Sequence, residues 1–310
     1  VYNGVAPAAP ADLSASASSQ QATLTWANNS EGDFAKYRVY GDTLASPASL
    51  VDSTASILDT SLTITGLANY DEYFYRITAV DTVGNESGYS NDISVIPYSS
   101  GNSHSLSFDG ADDYVEVDDD ASFSGLNAIT VSCWFKPNDL SDPGNDDLSN
   151  IDGIIFKATE AADSHFNLEY ALWLDQRTSY KNVYWSVSSG ASTSSAFFSI
   201  NDLAQDTWHH LAGVWDGSTQ KIYLDGVEKH TENSPVATMN DVSHSLYMGG
   251  SSGSIRLYPG TIDEVHIWSS ALTQSEIQSY MSTSLTGNES GLVGYWRFDE
   301  NSGSTVHDLS

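Results

Sequence analysis

Apolar and polar residues alternate in short runs along almost the whole of this 310-residue chain, and Gly, Asp, Asn or Pro closes most of them. A period of two places every second side chain on one face, so the pattern predicts β-strands with one buried side. The clearest instance is Trp208-His209-His210-Leu211-Ala212-Gly213-Val214-Trp215-Asp216-Gly217, followed by Lys221-Ile222-Tyr223-Leu224-Asp225-Gly226. Both runs end in Asp-Gly, which tolerates the positive φ of a tight turn, and together they predict neighbouring antiparallel strands.

After an Ala/Pro-rich lead-in, the stretch from Pro10 to Pro97 holds about seven such runs, among them Ala22 to Trp26, Tyr37 to Tyr40, Leu62 to Ile64 and Tyr73 to Val80. So many short strands in under a hundred residues, with no helical period, predict a β-sandwich. A polar segment, residues 99–103, reads as a linker, and it divides the chain into domains at 1–98 and 104–310. In the second domain the strands continue through Leu106 to Phe108, Val115 to Val117, Ile129 to Phe135, Ile154 to Lys157, Tyr170 to Leu174, Asn182 to Val187, Leu246 to Met248 and Gly260 to Trp268. One helix is signalled, by the capping box of Thr273 and Glu276 with Ile277, Tyr280 and Met281 on one face. The apolar tail from Leu292 to Phe298 fits two placements, a last strand of this sandwich or the first strand of a following unit.

The residues of the first domain resemble the fibronectin type III family. Trp26 falls where that family buries a tryptophan, Leu67 with Tyr73 matches its tyrosine corner, and Asp81 to Ser87 matches a bacterial ending. The second domain resembles the laminin-G-like, concanavalin A-like jelly roll, through the Trp208 to Gly217 and Lys221 to Gly226 strands and through Ile262-Asp263-Glu264-Val265. The expected fold class is therefore all-β, a fibronectin type III sandwich followed by a concanavalin A-like sandwich. By this resemblance Trp134, Trp208, Trp215, Trp268 and Trp296 are packing residues.

Composition narrows the functions. Forty-one acidic residues against eleven basic ones leave a net charge of -30, which repels nucleic acid and anionic membrane. No apolar run is long enough to span a bilayer. The single cysteine, Cys133, sits in an alternating strand and reads as a buried small hydrophobe, with no internal disulfide available. The chain reads as an excerpt of a longer exported or cell-surface polypeptide, with other domains of the parent as partners.

Three chemistries follow. A glycosidase of this fold class needs an acid and a nucleophile about 5 Å apart on one strand face. Asp263 and Glu264 are adjacent, hence expected on opposite faces, so catalysis is not the expected role. Neighbouring His209 and His210 likewise face apart. Calcium wants several oxygens at about 2.3 to 2.6 Å. The resemblance implies an ion joining the first and last strands of the domain, held by Asp109, the Gly110 carbonyl and Asp263, with Asp112 as a further ligand. The loop from Asp139 to Asp152 is also acidic, but it lacks an EF-hand pattern. Sugar binding wants aromatic faces with a few planar polar groups. Trp173, Arg177, Tyr180, Trp185, Arg256 and Tyr258 are the candidates, the two arginines suggesting an acidic glycan. The expectation is a non-catalytic, calcium-stabilised carbohydrate-binding or adhesion module with a fibronectin spacer; the alternatives are a purely structural repeat and a glycoside hydrolase.

Overall fold

The computed structural model describes residues 4–56, 58–69, 71–97, 104–141, 143–160, 166–190, 192–241, 243–251, 256–283, 285–300 and 302–310. The expected linker lies outside them, as does Asp142 of the acidic loop. Contacts divide the chain into two compact units, Val1–Asn102 and Ser103–Ser310.

The described residues of the first unit form seven strands, β1 (Ser14–Ser18), β2 (Gln21–Thr25), β3 (Phe34–Asp42), β4 (Leu50–Ser53), β5 (Ser61–Thr65), β6 (Tyr73–Asp81) and β7 (Ile93–Val95). They form a three-stranded sheet, β1-β2-β5, and a four-stranded sheet, β4-β3-β6-β7. Alternation works as expected: Ala22 and Leu24 are fully buried while Thr23 and Thr63 pair their hydroxyls on the other face. Trp26 packs edge-on against Tyr37, with ring centroids 5.1 Å apart. The Tyr73 phenol oxygen accepts the Ala68 amide at 3.0 Å, tying the crossover loop down. Asp81 closes the turn before Glu86 by accepting the amides of Val83 and Asn85.

The described residues of the second unit form thirteen strands. They are β8 (Leu106–Asp109), β9 (Val115–Val117), β10 (Ile129–Pro137), β11 (Ile151–Glu160), β12 (Phe166–Asp175), β13 (Asn182–Ser188), β14 (Thr193–Ser199), β15 (His209–Trp215), β16 (Thr219–Leu224), β17 (Val227–Asn233), β18 (Leu246–Met248), β19 (Pro259–Trp268) and β20 (Leu292–Trp296). One sheet runs β17-β16-β15-β10-β19-β20 with β8 also on β19, and the other runs β14-β13-β12-β11-β18-β9. Ile129, Val131, Cys133 and Phe135 from the first layer meet Tyr170, Leu172, Trp185 and Val187 from the second in one hydrophobic core. Burial pushes the Cys133 thiol far up, so it behaves as an apolar group. The tail is settled by register: β20 is hydrogen-bonded to β19 and completes this sandwich.

The Asp-Gly corners act as expected. Asp216 accepts the amides of Ser218 and Thr219, and Gly217 takes φ +91°, so β15 turns directly into β16. Helix α1 (Gln274–Tyr280) begins with the Thr273/Glu276 capping box, and its Ile277 packs on Ala212, Val214 and Tyr223 outside the first layer. Among the described residues no helix is long and apolar enough to cross a membrane.

Two expectations fail locally. Trp208 is 38 % exposed rather than core, because it precedes β15 and stands on the rim beneath Lys136. Asp263 and Glu264 do not simply alternate. Ile262 and Val265 both enter the core, and a bulge opposite Cys133, with Glu264 at φ +47°, absorbs the extra residue.

Buried ionisable groups set the pH response. Lys157, fully buried, is neutralised by Asp119 and donates to the His244 carbonyl at 2.7 Å. Burial raises the Asp152 carboxyl to about 7, opposed by a hydrogen bond from Gln176 and reinforced by Asp139 and Asp175. The folded state therefore holds this proton more tightly than the unfolded chain, and the associated stability is lost as pH rises through about 7. Burial, then His266, pushes His210 down to about 3, so its contribution is present above its unfolded value of 6.5 and is lost as pH falls.

Two outcomes follow for unfolding measured by denaturant titration. Asp152→Asn should be more stable than the parent at pH 8, by up to a few kcal/mol at about 1.4 kcal/mol per pH unit, with the gap closing by pH 4; a pH-independent difference would contradict the account. A Cβ on Gly213 would lie 2.2 Å from the Trp185 ring, so Gly213→Ala should cost about 1–3 kcal/mol by overpacking and Trp185→Ala about 3–5 kcal/mol by leaving a cavity.

Candidate functional site

The outward face of the six-stranded layer carries an aromatic row fixed by strand alternation. Leu172 and Leu174, Val183 and Trp185, and Ala196 and Phe198 all point into the core, so Trp173, Tyr184 and Phe197 between them point out. Register aligns these three across β12, β13 and β14, as Trp173↔Tyr184 and Tyr184↔Phe197. The Trp173 and Tyr184 rings are stacked at 4.4 Å and 15°, and Phe197 follows at 5.5 Å. His230, from edge strand β17 of the other layer, meets Phe197 edge-on at 5.2 Å. A second row of hydroxyls runs alongside: Trp173 Nε1 donates to Ser186 Oγ at 3.0 Å, and Ser186 pairs with Ser195 at 2.8 Å. Asn182 Nδ2 donates to the Tyr184 phenol at 3.1 Å.

The turn after β12 supplies the other polar groups. Arg177 makes a bidentate pair with the buried Asp175 carboxylate, at 2.9 and 2.7 Å, and its guanidinium lies 4.1 Å from the Tyr180 ring centre. That pairing raises Arg177 further above its ordinary value. Tyr180 remains 49 % exposed, with the guanidinium backing one side of its ring. The Asp146 carboxylate holds the turn from below by accepting the Ser179 amide and hydroxyl.

The six expected sugar-contact residues thus separate. Trp173, Arg177 and Tyr180 lie on β12 and the turn that follows it. Trp185 and Tyr258 are core residues, exposed by 0 % and 1 %, because each falls on the inward parity of its segment. The Trp185 indole donates to the Val214 carbonyl across the sandwich. Arg256 is also buried, at φ +54° beside Gly153, whose amide its carbonyl accepts. Phe197, His230 and the Ser186/Ser195 pair were not anticipated. The adjacent Phe197 and Phe198 carried the signal, since one of two neighbouring aromatics on a strand must face outward.

The acidic turn after β8 is arranged differently from expectation. Asp109, Asp112 and Asp113 bring carboxylate oxygens within 4.8 Å of one another on the surface. Gly110, at φ +76°, presses on Pro259 and makes the tight corner possible. Asp109 pairs in register with Pro259, which leaves Asp263 four positions along β19, about 13 Å away. Asp263 therefore does not join Asp109, and Asp113 stands in the group instead. Oxygen-only donors at this spacing fit a hard cation, although Asp109 also accepts the Ala111 amide and Asp113 the Asp109 amide.

Glu264 is the acidic residue of this unit with the densest set of polar neighbours on β19 and β20. Its carboxylate accepts the Tyr295 phenol at 2.8 Å and lies near His266 and Arg297. Burial opposes its ionisation, yet these partners hold it below the usual glutamate range. Asp263 and Glu264 are both buried, so this pair does not flank a glycosidic bond. Ser132, His266 and Glu264 form a line at 3.4 and 3.5 Å, but Ser132 is buried in the centre of β10, bonded to a strand on each side. His209 gives Nδ1 to Asp225 and accepts the Ala204 amide at Nε2, a tie between loops.

The comparisons with known proteins accord with this architecture. A fibronectin type III domain model matches residues 8–96. Solved structures similar to this chain include a putative carbohydrate binding protein from Bacteroides ovatus ATCC 8483, with TM-score 0.48, 14% identity and coverage of 93% of this chain and 86% of that one. Another is the ligand binding domain of botulinum neurotoxin serotype D in complex with N-acetylneuraminic acid, with TM-score 0.41 and 17% identity, covering 57% of this chain and 40% of that one. A search of curated proteins finds no match. The model of the concanavalin A-like lectin/glucanases superfamily matches residues 109–278, more than half of the sequence, and the chain belongs to that superfamily.

Proposed function

We propose that the second unit is a non-catalytic glycan-binding module of an extracellular protein, and that the first, residues 1–98, is its spacer. The observation that carries this reading is the row of Trp173, Tyr184 and Phe197, flanked by Ser195 and Asn182, with the exposed Tyr180 in the turn just before β13. Apolar C–H surfaces of sugars pack on such rings, and hydroxyl and amide groups alongside them exchange hydrogen bonds with sugar hydroxyls. The stacked pair Trp173/Tyr184 consumes one face of each ring. Contact with a ligand accordingly falls on the open side of Tyr180, on the 43 % exposed Phe197 and on the ring edges between them.

Charge favours a neutral glycan over the acidic one suggested by the arginines. Arg177 is already neutralised by Asp175, and Arg256 is buried, so neither is an exposed anion receptor. The surrounding charge of -30 would further repel uronates and sulfates.

A structural calcium at Asp109, Asp112 and Asp113 belongs to the same reading. When bound, it would neutralise three neighbouring carboxylates and brace the turn between β8 and β9.

The competing reading, a structural repeat without ligand, draws on the same stack, since rings that pack on each other also stabilise a bare sheet face. A glycan array separates the two. Neutral polysaccharides should bind, with affinity reduced about tenfold in Tyr180→Ala and in Phe197→Ala and unchanged in Trp208→Ala; silence across the array would leave the spacer. For the ion, calcium should raise the melting midpoint of the second unit, with about 2.7 kcal/mol gained at a hundredfold excess over Kd. The double variant Asp112→Asn/Asp113→Asn should abolish the shift, and an unchanged midpoint on chelation of the parent would retire the site.

A further inference from the structure

Lys157 occupies a core position that its chemistry does not suit. On β11 it follows Ile155 at the inward parity, and it pairs with Tyr170 and Leu246, both core residues. Register carries the same line across β18 to Val117, the end of β9. The side chain is 0 % exposed, and a lysine enclosed in this way is costly unless its amine is paired and its protons find acceptors.

The amine is surrounded by more than a counter-ion. Nζ donates to Asp119 Oδ1 at 2.5 Å, from the segment after β9, and to the His244 carbonyl at 2.7 Å. Glu169 Oε2 stands 4.0 Å away, on a side chain that is also 0 % exposed. Glu169 is the extra residue of a bulge in β12 opposite Lys157 and Ala158, and that irregularity brings a second acid into the interior. The Gly125 amide donates to its Oε1, with Oε2 on the side of the amine. Ser124 Oγ donates to the same Asp119 oxygen at 3.0 Å, and the Phe123 ring lies 5.4 Å from Nζ.

One carboxylate is enough to neutralise Lys157, so the second buried acid asks for another role. An amine, a carboxyl against it and a second carboxyl able to carry a proton are the groups that condensation to an amide requires. A carboxyl C–O bond is about 1.2 Å, which keeps Asp119 Cγ within about 3.7 Å of Nζ, close to the ~3–3.5 Å of a near-attack pair. Passing one proton along the existing hydrogen bond turns the ion pair into a neutral amine and an acid, and exclusion of water from the amine makes that uncharged form less costly than it is in solvent. The hydrogen bond from Lys157 holds the Asp119 carboxyl below its usual range, so the ion pair is the major form and condensation draws on the minor one.

We propose that Lys157 and Asp119 join in an intramolecular isopeptide bond, with Glu169 as the proton carrier. The amine nitrogen bonds to Asp119 Cγ, and Ser124 Oγ steadies the charge that gathers on Oδ1. Glu169 takes the proton that the nitrogen sheds and returns it to Oδ2; the Cγ–Oδ2 bond breaks and water leaves. Ammonium and carboxylate thus become one amide and one water, with no oxidant or co-reactant. The link ties the end of β9 to β11 across β18 and so pins three neighbouring strands of the six-stranded layer. It holds whether or not that layer binds a glycan.

Intact mass spectrometry of the whole purified chain tests it. The parent should weigh one water less than its sequence, about 18 Da, and a proteolytic digest should yield a branched species joining the peptides of Asp119 and Lys157. Lys157→Met and Asp119→Ala should return to the full sequence mass, and Asp119→Asn should link with loss of ammonia, about 17 Da. Glu169→Gln, with a melting curve that shows it folded, should leave most of the chain unlinked. Parent protein at its full sequence mass would overturn the proposal, as would a water loss that persists in Lys157→Met, which marks a succinimide at an aspartate instead. Undiminished linkage in folded Glu169→Gln would overturn the assignment of the proton carrier. The first measurement is made on the parent, so the outcome does not depend on any variant folding.

Discussion

Strand β19 is hydrogen-bonded on both sides, to β10 on one and to β8 and then β20 on the other, and this double pairing constrains the rest of the second unit. It brings the first and last strands of the unit onto a single neighbour, so backbone ladders close the sheet. The register that pairs Asp109 with Pro259 also decides which acids share a turn. The bulge at Glu264 then keeps Ile262, Val265 and Ile267 all in the core, where simple alternation would have thrown one out. A single inserted residue thereby turns the Glu264 carboxylate away from the apolar interior and toward Tyr295, His266 and Arg297.

Polar groups are placed in tiers around this frame. Those nearest the interior are spent on other protein groups: Lys157 on Asp119, Glu264 on Tyr295, Asp175 on Arg177. Those farther out, on the acidic turn and the sheet face, keep part of their bonding capacity toward solvent. With so few cations in the chain, most carboxylates have no basic partner to spend. Binding capacity therefore concentrates where acids and exposed rings remain, and anion recognition has little to work with.

Most strands could be read from alternation and Asp-Gly corners, because a period of two and a positive-φ turn are local properties of the chain. The helix was equally local, fixed by Thr273, Glu276 and Ile277. What escaped was register. Trp173 and Trp185 look alike in sequence, yet one is a surface ring and the other a fully buried core side chain, since parity within a strand depends on where pairing starts. Tyr258 and Arg256 precede β19 and inherit their burial from how β19 docks. Asp109 and Asp263 failed to meet for the same reason, a spacing along a partner strand that no local motif encodes. Phe197 and His230 come together only because edge strands of two different sheets lie side by side.

That last contact has a further consequence. The Phe197 amide belongs to edge strand β14 and donates to His230 Nδ1 at 3.2 Å, away from its neighbour β13. An uncapped edge of this kind, rich in serine and phenylalanine, is a template on which a second chain can add its own strand. The imidazole takes up one outward donor of that edge, so the residue that lengthens the aromatic row also removes a backbone group that an added strand would need.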